Sequence, residues 1–343
     1  MKKQIDDIIG IFEELANIPS PTGFTHQAIA YIEDMVKQLG YPIIKNQKGG
    51  LIIEVAGASK ECLGLSAHVD TLGAMVRSIT PKGTLSFVPV GGYMMASIEG
   101  SYCKIHTRSG RTFTGTILTT MPSVHTYDNS KTQERIPKNM EVRIDEQVST
   151  KEDVMELGIS PGDFISFDPC FSYTKSGFIK SRHIDDKASV ALLLGLLKEM
   201  KEKSFTPNKT IKIILSNYEE VGHGSSYIPE DITEFLAIDM GAIGDDLSGD
   251  EYKVSICALD SSGPYDYDMT NKLIAIAKEK NLNYAVDIFP HYGSDVSAAL
   301  RGGNNVKGAL IGQGVHASHG MERTHRKGIE NTYQLLKGYI ANN

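Results

Sequence analysis

Two glutamates stand side by side in the stretch LSNYEEVGHGSS, residues 215–226: Glu219 and Glu220, just past the apolar run TIKIIL. Neighbouring carboxylates repel, so the pair calls for a nearby cation, a raised pKa or exposure to water. Residues of metal-binding type recur at similar places. LGLSAHVD closes on His68 and Asp70, FLAIDMG holds Asp239 among apolar neighbours, and HIDDK sets Asp185 and Asp186 where a helical pattern begins. Imidazole nitrogen and carboxylate oxygen suit a divalent ion of the zinc class. A carboxylate in apolar surroundings, as at Asp239, has to be neutral, paired or bound to metal.

Each feature alone has an ordinary explanation. A buried histidine is often simply hydrogen-bonded, adjacent acids are commonly a solvated loop, and acids at a helix start favour its dipole. Their joint occurrence at four strand or helix ends argues for a site. A further stretch, GVHASHGMERTHRKG, offers His316, His319 and His325, and spacing does not choose among them.

Positioning such a set requires a sheet, because ligands of open α/β sheets bind beyond the carboxyl ends of the strands. GLIIEVAG, CLGLSAHVD, TIKIILSN, TEFLAIDM and YKVSICAL read as strands. Ile5, Ile8, Ile9, Phe12 and Leu15 fall on one helical face, which IPSPTG ends with two prolines and a glycine. QAIAYIEDMVKQLG, DDKASVALLLGLLKEMKEK and YDYDMTNKLIAIAKEKNL also carry the helical period. Between about 72 and 176 the texture changes to short alternating runs broken by Gly, Pro, Ser and Asn. GTLSFVPVGGY, SYCKIHTRSGRTFTGTILTT, NMEVRIDE and GDFISFDP are examples. The predicted fold is α/β, a mixed central sheet flanked by helices and built from residues 1–71 and 177–343, with 72–176 an inserted β-rich domain.

The totals narrow the class. Of the 343 residues, 41% are hydrophobic and 22% charged, as in a globular protein with a real core, and the net charge of −7 argues against nucleic acid as a partner. The four cysteines form no Cys-x-x-Cys pair, which fits a reducing compartment. The first helix carries acids throughout and reads as amphipathic, not as a signal peptide. The longest apolar run, VALLLGLL, is far too short to span a bilayer. A cytoplasmic protein without a membrane partner is expected.

The order AHVDTLG, HIDDK, SNYEEVG, AIDMG and ASHGMERTH resembles the dinuclear metallo-aminopeptidases of the TET (tetrahedral) type, among them the glutamyl and deblocking aminopeptidases. The likeness covers nearly the whole chain, including the IPSPTG turn, the β insertion, which there resembles a small barrel, and GDFISFDP. It implies two divalent ions per subunit, zinc or cobalt, with Asp185 bridging them and His68, Asp239, Glu220 and His319 as terminal ligands. It further implies Glu219 as general base on a metal-activated water and Asp70 as the residue that orients His68, with Asp186 in support. The charge of the ions would then resolve the repulsion between the paired glutamates. Peptides are the implied substrates, losing their N-terminal residues, and dimers assembling to a dodecamer through the insertion are the implied oligomer.

The chain departs from the family at Lys187, where many relatives have Arg, and at SHGMER, where a His-Ser-Pro type motif is common. MPSVHTY around His125 is similar to a histidine-bearing loop of the family's insertion, and a structural role is expected for it. HYGSDVSAAL, with His291, Ser294 and Asp295, matches a loop that shapes the substrate pocket. A carboxypeptidase or deacylase on the same scaffold would share the ligand set. A glycosidase needs two carboxyl groups facing each other across about 5–9.5 Å, a geometry that adjacent glutamates do not suggest. A metal-free assembly protein is the rival from another class.

Overall fold

The helical spacing of the first apolar residues produces the helix Lys2–Ala16 in the computed structural model, which describes residues 2–343. Ile5, Ile8, Ile9, Phe12 and Leu15 all lie on its buried face. That face packs on the helix Ile184–Glu202, whose residues from Ile184 to Leu197 are all buried. A helix apolar on every side has to lie inside the protein, and this one does. Gly195 permits the contact, because a Cβ there would come within 2.5 Å of Ile8. Each buried leucine of the helix contributes about 1.5–3 kcal/mol through burial, and Leu193→Ala would cost about 2–5 kcal/mol.

A ten-stranded mixed sheet forms the large layer. Its path runs Ile43–Lys45, Leu51–Val55, Lys209–Ser216, Ser59–His68, Ile232–Ile238, Lys307–Val315, Val254–Asp260 and Gly263–Pro264. Lys209–Ser216, Ser59–His68, Ile232–Ile238 and Lys307–Val315 are mutually parallel neighbours, so their carboxyl ends share one edge. Ser216 pairs with His68 across the first two, and Ala237 pairs with Ser66 on the other side. These strands are buried and rich in Val, Ile and Leu, as parallel strands covered on both faces are. Helices His26–Leu39, Tyr267–Glu279, Asp295–Arg301 and Arg326–Ala341 complete the layers.

Strands Gly73–Ile79, Leu85–Val90, Met140–Ile144, Thr112–Thr119, Tyr102–His106 and Phe164–Phe167 close, in that order, into a barrel with its own apolar core. The short alternating runs of the sequence correspond to five of these strands, and GAMVRSI, the first, lies outside those runs. The strand Lys307–Val315 and the helix Arg326–Ala341 lie outside the elements expected from the sequence. The strand's sequence, KGALIGQGV, is broken by glycines, and one of them is obligatory. A Cβ on Gly312 would fall 1.3 Å from the main-chain oxygen of Asp239. The site's geometry thus suppressed the sequence signal of the strand beside it.

Candidate metal centre

The parallel register sets the first two site residues level. His68 ends its strand, and Asp239 follows directly on Ile238 of the neighbouring strand. Glu219 and Glu220 lie on the turn just after Ser216, where Tyr218 adopts a left-handed backbone (φ 74°) that swings the chain back over the sheet edge. Asp185 and Asp186 open the buried helix with non-helical dihedrals, so its regular turns begin after them. Gathering these residues from four segments is the work of the topology.

The acids converge on His68. Its Nε2 is 2.9 Å from Asp185 Oδ1 and 3.8 Å from Glu219 Oε2. Ligand atoms of His68, Asp185 and Glu220 lie within 4.8 Å of one another, as do those of His68, Asp186 and Asp239. His319 Nε2 approaches the same group from a separate segment, 3.4 Å from Asp185 Oδ2 and 3.6 Å from Glu220 Oε2. Its Nδ1 bonds the carbonyl oxygen of Gly92. His316 and His325 go elsewhere. His316 is exposed, and His325 is buried, with Nε2 on Ser176 O at 2.9 Å and Nδ1 accepting from Lys327 N–H at the start of the last helix. Left-handed backbone at Ala317 and His319 turns the middle histidine inward. His125 is exposed on a turn-rich stretch of the barrel region.

Asp70 is fully buried, and its contacts differ from the expected orientation of His68 by its carboxylate. The main-chain oxygen of Asp70 takes that position, 2.8 Å from His68 Nδ1, while the nearer carboxylate oxygen is 3.8 Å away. The carboxylate accepts instead from Thr22 Oγ1 at 2.7 Å and from the N–H groups of Glu219 at 3.2 Å and Glu220 at 3.3 Å. Two amides and a hydroxyl satisfy a carboxylate better than one imidazole N–H already held by a carbonyl. Asp70 therefore fixes the backbone of the paired glutamates and touches His68 through its peptide.

Several residues that sequence reasoning passed over, or read only as pocket formers, hold this arrangement. Glu322 is buried, and its two oxygens accept from Asp185 N–H at 3.1 Å and His319 N–H at 3.0 Å. Asp295 receives Ser216 Oγ at 2.7 Å and Ser225 N–H at 2.8 Å, pinning the loop that carries the glutamates. Ser294 caps the helix Asp295–Arg301 and bonds Tyr265 Oη at 2.7 Å. Lys187 is buried and donates to Leu15 O and Ile18 O, at 2.9 and 2.6 Å. The turn after the first helix reaches the site as well. Thr22 bonds Asp70, Gly23 N–H donates to Asn217 Oδ1 at 3.3 Å, and Phe24 stacks on His106 of the barrel with ring centroids 4.7 Å apart.

The electrostatics are those of acids crowded out of water. Burial pushes the carboxyls of Glu219, Glu220 and Asp186 well above their ordinary range, with further push from Asp239 on Glu219 and Asp186, and from Asp185 on Glu220. Burial and the charge of Asp185 lift Asp239 to about 7. Asp185 goes the other way, because hydrogen bonds from His319 and His68 outweigh its burial. Burial and Asp185 together raise Glu322 to about 8.

Among the described residues Asp186 Oδ1 is buried without a hydrogen-bond partner, although its Oδ2 accepts from His68 N–H at 3.2 Å. An orphaned carboxylate oxygen beside Asp239 and an imidazole is what a divalent cation would satisfy. The donor set, nitrogen and carboxylate oxygen, fits such an ion. Asp185, Glu219, Glu220 and Asp239 face an open pocket of about 580 Å³ whose lining includes His291, Tyr292 and Arg301.

This combination of fold and site has relatives. The M42 glutamyl aminopeptidase family matches the chain over residues 49–335. YhfE of Bacillus subtilis (strain 168), which is named as a candidate aminopeptidase, is 48% identical over 333 residues, covering 96% of each chain. Among solved structures, a TET aminopeptidase from the marine sediment archaeon Thaumarchaeota archaeon SCGC AB-539-E09 superposes with a TM-score of 0.88 at 19% identity, covering 98% of this chain and 96% of that one. The Pyrococcus horikoshii TET1 peptidase, described as able to assemble into a tetrahedron or a large octahedral shell, superposes with a TM-score of 0.85 at 23% identity, covering 97% and 99%. The extent of the family match and the identity to YhfE place the chain among peptide hydrolases: it belongs to the M42 glutamyl aminopeptidase family.

Proposed function

We propose that this chain is a metal-dependent aminopeptidase that removes N-terminal residues from peptides. The observation that carries the reading is the convergence of Asp185, Glu220 and His319 on the buried His68, with Glu219 beside them, the acids and His319 lining an open pocket. His68, Asp185, Glu220, Asp239 and His319 would hold two divalent ions, zinc or cobalt, with Asp185 between them. When bound, such ions acidify water and polarise a carbonyl. Glu219 is the general base: it takes the proton of the attacking water and hands it to the departing amine. Its position supports that task, since its Oε2 lies 3.8 Å from His68 Nε2, beside the ligands. Asp70 holds the main chain of Glu219 and Glu220 through its carboxylate, and so keeps base and ligand in register.

The pocket wall supports a preference for acidic N-terminal residues, because besides His319 its lining holds the basic side chains of His291 and Arg301. The barrel, residues 72–176 in the sequence division, serves self-association, with dimers building a dodecamer. Met94, Val124 and Tyr127, exposed in and around the barrel, are apolar surface of the kind that association covers. Among the described residues no helix is long and apolar enough to cross a membrane, and a cytoplasmic location follows the same reading.

The test is a panel of peptides and aminoacyl substrates, free or blocked at either end, assayed with added zinc, cobalt or manganese and with a chelator. Cleavage from free N-termini that the chelator abolishes is the expected result. Cleavage of N-blocked peptides from the carboxyl end would instead assign a carboxypeptidase. Sedimentation of the purified protein measures the oligomer.

A further inference from the structure

The basic residue Arg182 lies in the interior, and its contacts join parts of the molecule that the reaction would not obviously need to join. Arg182 is 5% exposed and immediately precedes His183 and the opening of the buried helix. Its Nη2 donates to Ser97 O at 2.6 Å and to Ser101 Oγ at 2.8 Å, both in the segment leading into the barrel strand Tyr102–His106. Its Nη1 donates to Gly320 O at 3.3 Å, the residue directly after His319. Among the described residues Nε has no partner and no carboxylate is within hydrogen-bonding distance of this buried cation, so three neutral acceptors on two separate segments hold it.

Two further contacts converge on the same short loop. Gly92, just past the barrel strand Leu85–Val90, presents its carbonyl to His319 Nδ1. That contact fixes the proton on Nδ1 and leaves Nε2 free to face Asp185 and Glu220. Glu322, from the other side, holds the N–H groups of His319 and Asp185 with one oxygen each. The imidazole is therefore suspended between the barrel entrance and the large sheet, and the Arg182 guanidinium spans the gap.

We propose that Arg182 is a positioning residue for His319, clamping the loop 317–322 to the barrel segment 91–101 so that the barrel takes part in shaping the metal centre. The geometry calls for a guanidinium. Its planar fork serves acceptors in two directions at once, whereas a lysine ammonium on a flexible stem would reach one group of them and leave the other unpaired. Arg182 meets the loop at Gly320, directly after His319, and reaches Asp185 only at second hand through Glu322, so its influence falls mainly on the half of the centre that His319 serves. This inference rests on the reading of His319 as a metal ligand given above.

The experiment is a double-mutant cycle on the purified full chain, with zinc binding followed by calorimetric titration and thermal melting measured in parallel. Wild-type protein and His319→Ala come first: if His319→Ala binds both ions as tightly as wild type, the ligand reading itself fails, whatever Arg182 does. If His319→Ala loses one ion, the clamp is then tested. Arg182→Ala is expected to weaken one ion by roughly tenfold to a hundredfold and the other distinctly less, lowering kcat more than it raises KM. In the His319→Ala background the same substitution is expected to change the remaining ion's affinity by less than about twofold. Ser101→Ala, which removes one acceptor and disturbs packing little, is expected to give a smaller loss in the same ion. Arg182→Lys is expected to restore little. Equal weakening of both ions, wild-type affinity for both in Arg182→Ala, or an undiminished effect of Arg182→Ala on the remaining ion in the His319→Ala background would each overturn the proposal. If Arg182→Ala does not fold, Ser101→Ala and Arg182→Lys decide the matter: wild-type affinity in both overturns it.

Discussion

The carboxyl edge of the large sheet and the barrel treat buried polar groups in opposite ways. In the barrel region, the buried Asp163 accepts from Arg108 N–H at 3.0 Å and Ser160 N–H at 2.8 Å, and His106 is closed off by Ser166 Oγ at 2.8 Å and the ring of Phe24. Around His68, by contrast, Asp185, Asp186, Glu220 and Asp239 face one another, and among the described residues Asp186 Oδ1 has no hydrogen-bond partner. A carboxylate satisfied by main-chain amides is structural and stable as it stands. Carboxylates that face each other raise the free energy of the fold unless a cation joins them. The distinction separates a residue that holds the protein together from one that the protein holds in place for chemistry, and Asp70 shows that both kinds occur within one site.

The contrast can be broken most severely at Glu219. Glu219→Gln is expected to lower kcat by about 10²–10⁴-fold while elemental analysis finds the metal content of wild type; substantial remaining turnover would remove Glu219 from its role as base. Asp185→Asn should lose metal together with activity, and full metal content after dialysis would contradict a bridging position.

Chelation probes the two regions without mutation. A ligand at a hundred times its Kd adds about 2.7 kcal/mol to stability, so stripping metal should lower the melting temperature. Hydrogen exchange should quicken at Ser216–Glu220 and His68–Asp70 while barrel amides keep their protection; uniform loss would erase the distinction drawn here. The smallest effect belongs to the barrel. Burial holds His106 at about 4, below the value near 6.5 of an unfolded chain. The unfolded state therefore takes up the proton first. The stabilisation is full above about pH 6.5, declines as pH falls toward 4, and changes no further below it. With a discount for partial solvent screening the loss is on the order of 2 kcal/mol. Urea unfolding at pH 7 and pH 4.5 measures it, and His106→Gln should flatten the difference.

Residues whose role follows from position along a strand were legible in the sequence. His68 and Asp239 could be found because an apolar run ends on them, and the buried helix announced itself through its leucines. Residues whose role is a contact with a distant main chain were not. Glu322 binds the amide of Asp185 from 137 positions away, and nothing local to GMERTH marks that partnership. Arg182 is equally silent, since its acceptors are carbonyls and a hydroxyl that any sequence could supply. The choice among His316, His319 and His325 depended on two left-handed residues, neither of them glycine, so no residue type signalled the turn. The strand Lys307–Val315 was hidden because its glycines answer to the neighbouring Asp239 peptide and not to strand propensity.

The turn Pro19–Phe24 has a consequence for how an active molecule comes to exist. It touches Asp70, Asn217 and His106, which belong to the stretch just after the strand ending at His68, the loop of the paired glutamates and the barrel. Those partners are synthesised at widely separate times, and the last of them emerges well after the turn itself. The turn's full set of partners is therefore available only once Asn217, 194 positions beyond Gly23, has been made.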